Sequence, residues 1–305
     1  MTTVHSRFPP DRQLTARMSV VLFLLGLLYV VFVAALVVLL KSVVVVVLIA
    51  AGFLAAQFWF SDRIALYAMH AHEVTPEQQP HLHGAVDRLC ALADMPKPRV
   101  ALADSDMPNA FATGRNADHA VLCVTTGLLR RLEGEELEGV LAHELSHVAH
   151  RDVAVITIAS FLGVIAGLVT RFAFYSGLFG GRGRRTDQNT AMILAAVTAV
   201  SAAVYALSFV LIRALSRYRE LAADRSAAEL TGRPSALASA LVKVSGDIAR
   251  IPTKDLRTAQ SFNAFFFAPA LTRGRSLGNL FSTHPTLQQR LDALARISAR
   301  LGEAG

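Results

Sequence analysis

His143-Glu144-Leu145-Ser146-His147 forms an H-E-x-x-H pentapeptide. On a helix, positions i and i+4 share one face, about 6 Å apart along the axis, so both imidazoles can bind one metal ion. Glu144 stands one residue past the first imidazole. It can reach a water at the metal without joining the ligand set. The neighbours Val140, Leu141, Leu145 and Val148 are apolar. Polar side chains in that setting need partners, because burying them unpaired is costly.

A catalytic zinc takes three protein ligands and keeps one position for water. His150 follows on nearly the same face, but roughly 7 Å along the axis from the midpoint of the other two histidines. That is too far for a zinc–nitrogen bond of about 2 Å. The better third ligand is Glu220, within Arg217-Tyr218-Arg219-Glu220-Leu221-Ala222-Ala223-Asp224. Glu220 and Asp224 are again i and i+4, so their carboxylates face one way. Glu220 binds the metal in this reading. Asp224 accepts a hydrogen bond from a ligand imidazole and fixes its tautomer. H-E-x-x-H followed downstream by E-x-x-x-D is the gluzincin metalloprotease pattern. The pairs His70/His72 and His81/His83 are expected at a solvated surface rather than at a second metal site.

The elements that carry these residues belong in or beside a membrane. Of 305 residues, 53% are hydrophobic and 17% charged, against about 25% charged in a typical soluble domain; mean hydropathy is +0.43. The excess sits in uninterrupted runs, which excludes a disordered chain. With only Cys90 and Cys123 present, a disulfide scaffold is excluded too. Basic residues, which give a net charge of +7, cluster beside the apolar runs. Lipid headgroups, not nucleic acid, are their expected counterpart.

Four runs qualify as spans: Met18–Leu40, Ser42–Phe60, Val153–Thr170 and Thr190–Ile212. The first is long enough for roughly 34 Å of helix. Arg7, Arg12 and Arg17 precede it and Arg213, Arg217 and Arg219 follow the fourth, which puts both flanks in the cytoplasm. Arg171, Arg182, Arg184 and Arg185, in the loop between the third and fourth runs, go against that rule, so this pair either crosses fully or folds back. The expected organisation is a tail and hairpin over 1–60, the first part of a protease domain over 61–152, two apolar helices over 153–212, and the second part over 213–305.

Within the soluble parts, Pro80–Leu92 reads as a helix, and Arg99–Ala103, Ala110–Thr113 and Ala120–Val124 read as a small strand meander. A long helix ends at Arg151. Helices over Arg213–Leu230, Ser235–Ile248 and Pro285–Leu301 follow, and 252–283 is irregular and Phe-rich. The fold class is therefore a mainly α integral membrane protein, with about four transmembrane helices and an α+β metalloprotease domain of gluzincin type around a small β-sheet.

Further motifs appear in order along the chain: Asn109-Ala110-Phe111-Ala112-Thr113-Gly114, the H-E-x-x-H with Asp152, Arg219-Glu220-Leu221-Ala222-Ala223-Asp224, and Ser282-Thr283-His284-Pro285. With these, the chain from the first span to Leu301 resembles the HtpX-type membrane zinc metalloproteases, relatives of the CAAX-processing prenyl proteases. It departs from them in small ways, with His150-Arg151 before Asp152 and a single Pro285. The resemblance implies one zinc ion per chain, protein and peptide substrates, and a multi-pass protein of the bacterial cytoplasmic membrane with its active site facing the cytoplasm. It implies a role in quality control of misfolded or damaged membrane proteins under stress. By the same resemblance, Asn109 to Gly114 is an edge strand that holds substrate backbone, His284 stabilises the oxyanion, and Arg290 accompanies it. Two other functions fit the same motifs: a prenyl-protein processing peptidase, and a non-catalytic membrane scaffold or sensor. Oligomeric state is not readable from the residues.

Overall fold

The computed structural model describes residues 11–40, 43–114, 116–151, 188–248 and 285–302. The expected third span, the irregular segment 252–283 and His284 lie outside these. Two long helices open the chain, α1 (Arg12–Leu40) and α2 (Val43–Ala68). They are followed by β1 (Ala71–Glu73), α3 (Pro80–Ala93), β2 (Arg99–Ala103), β3 (Ala110–Thr113), a 3-10 turn (Ala117–His119), β4 (Val121–Thr125), α4 (Thr126–Leu129) and α5 (Gly134–Ala149). After the undescribed stretch come α6 (Gln188–Thr231), α7 (Pro234–Ile248) and α8 (Leu287–Leu301).

The chain divides into two compact units. One comprises Met1–Leu14, Ser61–Ala154 and Ser216–Gly305, the other Thr15–Phe60 and Val155–Leu215. Among the described residues, Arg12–Val38 and Ala195–Thr231 are long and apolar enough to cross a membrane. The charge-free part of α6 ends at Ile212, and the helix continues unbroken to Thr231.

In the first unit, the four strands lie in the order β1-β2-β4-β3. β2 and β4 run parallel in the middle, β1 pairs antiparallel with β2, and β3 pairs antiparallel with β4. This corrects the expected meander. β4 inserts between β2 and β3, and a parallel neighbour cannot be reached by a tight hairpin. β1 was not expected at all, and β4 begins one residue later than its apolar run.

Side chains alternate across the sheet as strand geometry requires. Val100, Leu102, Ala110, Leu122 and Val124 face the main core, where they meet Leu82 and Leu89 of α3, Leu141 and Leu145 of α5, Leu237 and Leu241 of α7, and Leu294 of α8. Ala101, Ala103, Phe111, Val121 and Cys123 face a smaller core with Ala65, Leu66 and Met69 of α2. Covered on both faces, β2 and β4 show continuous apolar sequence rather than alternation.

α5 starts where the Glu133 amide donates to the Glu136 carboxylate at 2.9 Å, half of a capping box. It stops at His150 and Arg151, the latter with φ of 57°. Between them the helix is buried almost throughout. Gly139 lets α7 approach: a Cβ there would lie 3.2 Å from Leu237 Cα. α8 is fixed at its start by Thr286 and Gln289, each side chain bonding the other's backbone amide.

Burial corrects one surface assignment. His83 is buried, its ring Nε2 donating to the Val74 carbonyl at 3.0 Å, because α3 packs this turn against the end of β1. His72 and His81 are exposed as expected. Among the described residues, none of these histidines joins a metal-ligating group.

Candidate metal centre

α5 presents His143 and His147 from consecutive turns. Their rings meet nearly edge to face, at 84° and 4.9 Å between centroids. α6 brings Glu220 opposite them. Its Oε2 lies 3.5 Å from His143 Nε2 and its Oε1 lies 3.6 Å from His147 Nε2. One donor atom from each of the three residues falls within 4.8 Å of the others, and all three side chains are buried. Two imidazole nitrogens and one carboxylate oxygen suit a catalytic zinc that keeps its fourth position for water. The donor set therefore fits the metal.

Asp224, one turn beyond Glu220, receives His143 Nδ1 at 2.9 Å. That bond places the ring proton on Nδ1 and leaves Nε2 facing the cluster. Arg290 stands behind Asp224. Its Nε and Nη2 donate to the two carboxylate oxygens at 2.7 and 2.5 Å, and Nη2 lies 3.4 Å from His143 Nδ1. Arg290 thus reaches the centre through Asp224. Arg219, the residue before Glu220, donates to Glu220 Oε1 at 3.0 Å. The sequence placed Arg219 only among the basic residues that flank the fourth apolar run; in the fold its long side chain turns back onto its neighbour.

The carboxylates of Asp224 and Glu220 favour positive charge at His143. Burial alone would lower the His143 pKa, but hydrogen bonds to Asp224 and Glu220 outweigh it and carry it to about 9. Glu144 is buried beside the cluster, and burial raises its pKa against the opposing pull of His143 and His147. A carboxylate so shifted is a better proton acceptor near neutral pH.

His150 stays outside the group. It caps α5, its Nδ1 donating to the Ser146 carbonyl at 2.8 Å. Asn109 to Gly114 lies where an edge strand must. Among the described residues β3 is an outer strand of the sheet, as β1 is on the opposite side, and Asn109 is tied to β4 through its amide and Thr125 Oγ1 at 2.9 Å. Gly114 ends the strand with φ of 132°, and a Cβ there would collide with the His119 carbonyl. Sequence reasoning did not find the contact between the two motifs: the Ala112 amide donates to Glu144 Oε2 at 3.0 Å.

A helix-borne pair of histidines, a carboxylate from a second helix and a free-standing glutamate beside a sheet edge together define a zinc metallopeptidase centre. The chain belongs to Peptidase family M48, whose model matches residues 76–298. It is similar to the Streptomyces coelicolor protein named Protease HtpX homolog 1, with 72% identity over 301 residues, covering 99% of this chain and 98% of that relative. The Protease HtpX homolog of Moorella thermoacetica is 52% identical over 294 residues, covering 96% of this chain and 97% of that one. The fold is similar to the crystal structure of S. mikatae Ste24p, with a TM-score of 0.51 at 18% identity. That match covers 88% of this chain, which spans 62% of the length of that structure. The resemblance to HtpX-type proteases is borne out, and the chain is a membrane-bound zinc metalloprotease.

Proposed function

We propose that the protein hydrolyses peptide bonds of misfolded or damaged membrane proteins, in a quality-control and stress role, at the cytoplasmic face of a bacterial inner membrane. The convergence of His143, His147 and Glu220, with Glu144 alongside, carries this reading. Zinc held by those three residues would polarise the scissile carbonyl and acidify a water. Glu144 takes a proton from the attacking water at its carboxylate and passes it to the leaving amine. Asp224 keeps the His143 proton on Nδ1, and Arg290 keeps Asp224 ionised and in place. β3 receives an extended substrate by strand addition. His284 is assigned the oxyanion by family likeness.

The same reading includes four membrane crossings, with the protease domain divided between 61–152 and 213–305 and apolar segments over 1–60 and 153–212. Two observations support it. α6 runs unbroken from an apolar stretch to Glu220, and the N-terminal arginines favour a cytoplasmic flank. An active site a few turns beyond an apolar helix suits substrates drawn from the bilayer.

The test is cleavage of an unfolded model protein by wild type and Glu144→Gln, purified in detergent with zinc. Glu144→Gln is expected to keep its zinc and lose about 10²- to 10⁴-fold in rate. A metal-free Glu144→Gln, under conditions that load wild type, would contradict the assignment.

A further inference from the structure

The hydrogen-bonding register of β3 decides which of its backbone groups face an incoming strand. The Thr125 amide donates to the Asn109 carbonyl at 3.0 Å, so this pair is hydrogen-bonded across the ladder. Antiparallel pairs alternate, which makes Phe111↔Cys123 and Thr113↔Val121 hydrogen-bonded as well. Ala110 and Ala112 are then the positions whose amides and carbonyls point away from β4, along the edge that pairs with no other strand among the described residues. The Ala112 amide confirms the direction, because it donates to Glu144 Oε2 at 3.0 Å. Glu144 is 4% exposed, and a carboxylate so buried needs fixed donors to stay in one place. A backbone amide on a strand paired to β4 is such a donor, and it leaves the imidazoles to the metal.

We propose that the Ala112 amide is a positioning group that holds the Glu144 carboxylate, leaving Ala110 as the edge residue that offers an added substrate strand both amide and carbonyl. The proposal rests on the reading of Glu144 as the proton acceptor. Its consequence is a fixed register. The ladder of an added strand loses a donor at Ala112, so pairing weakens beside the proton acceptor, where the scissile bond must be free to change shape.

Ala112→Pro removes this amide, and Ala110→Pro removes the other outward one. Proline is tolerated on an edge strand where the lost N–H faces outward. In full-length, zinc-loaded protein in detergent, with a fluorogenic peptide as substrate, Ala112→Pro should lower kcat by about 10- to 100-fold with KM unchanged. Ala110→Pro should raise KM with kcat unchanged. Full kcat in Ala112→Pro, or the same change in both variants, overturns the proposal. A readout independent of Pro tolerance is residue-resolved amide exchange in wild type and Glu144→Ala. The Ala112 amide should exchange at least about tenfold faster in the variant, while Phe111 and Thr113 keep their rates. Unchanged exchange at Ala112 overturns the proposal. Failure of the underlying reading has a separate signature, a Glu144→Gln variant as active as wild type.

Discussion

Arg290 and Asp224, 66 residues apart in the chain, close on each other through two hydrogen bonds of 2.7 and 2.5 Å. Both are buried, and Asp224 Oδ1 also takes His143 Nδ1. Removing one member of such a pair strands a buried charge at a cost of about 3–5 kcal/mol. Arg290→Met is therefore expected to destabilise the fold more than Arg290→Met combined with Asp224→Asn. Asp224→Asn alone should weaken zinc binding about 10- to 100-fold, since it loosens a ligand imidazole. Thermal unfolding and competition with a chelator measure the two effects.

Glu220 and His150 make opposite predictions. Glu220→Ala should lose zinc at concentrations where His150→Ala stays loaded, because Glu220 stands in the ligand group with His143 and His147 and His150 does not. Zinc content after dialysis separates them. Equal loss in both variants would mean the third ligand is misassigned.

Acid should weaken one tie between α5 and α7. Glu136 accepts from Ser239 Oγ at 2.6 Å and from Lys243 Nζ at 2.8 Å. Burial would raise its pKa, but these bonds outweigh it and hold it below 4.5. A carboxyl depressed on folding stabilises the fold above its unfolded pKa, and that contribution is lost as pH falls through the folded value. Glu136→Gln should therefore lower Tm at neutral pH, with the gap to wild type closing once pH drops below about 4.5. A gap of constant size would show that the carboxylate charge contributes nothing.

Orientation can be read with a membrane-impermeant thiol reagent on intact cells. With Cys90 and Cys123 replaced by Ser, a cysteine near Pro234 should be shielded and one near Lys41 labelled. Labelling near Pro234 without permeabilisation would reverse the topology and leave the zinc chemistry intact.

Much of this molecule was legible in the residues because its decisive features are local. The i, i+4 spacings of His143/His147 and Glu220/Asp224 fix two faces on two helices, and the chemistry of zinc then requires those faces to meet. The helix ends near Asp94 and Thr231 followed from the breaks at Met95-Pro96 and Gly232-Arg233-Pro234, whereas the end of α5 at Ala149, two residues before the expected Arg151, has no such break to mark it. What stayed hidden depends on partners far away in sequence. β1 is three residues, Ala71-His72-Glu73, with no apolar period to announce it; it exists because Ala103, Leu102 and Ala101 pair with it. The parallel β2–β4 pairing leaves no trace in either strand. His83 looks like any polar helix residue until α3 folds it onto Val74. The Ala112–Glu144 bond involves a backbone amide, and residue type says nothing about where an amide points.

The 66 residues between Asp224 and Arg290 also have a meaning in time. At about 5–20 residues per second, a ribosome takes roughly 3–13 s to add them. During that interval the growing chain already carries both histidines, Glu144 and Glu220, but Asp224 has no guanidinium to close on. Until Arg290 is added, burying the Asp224 carboxylate carries the cost of a charge without its guanidinium partner. The last helix to be synthesised therefore supplies the counter-charge that the metal-binding helices need when they close on each other.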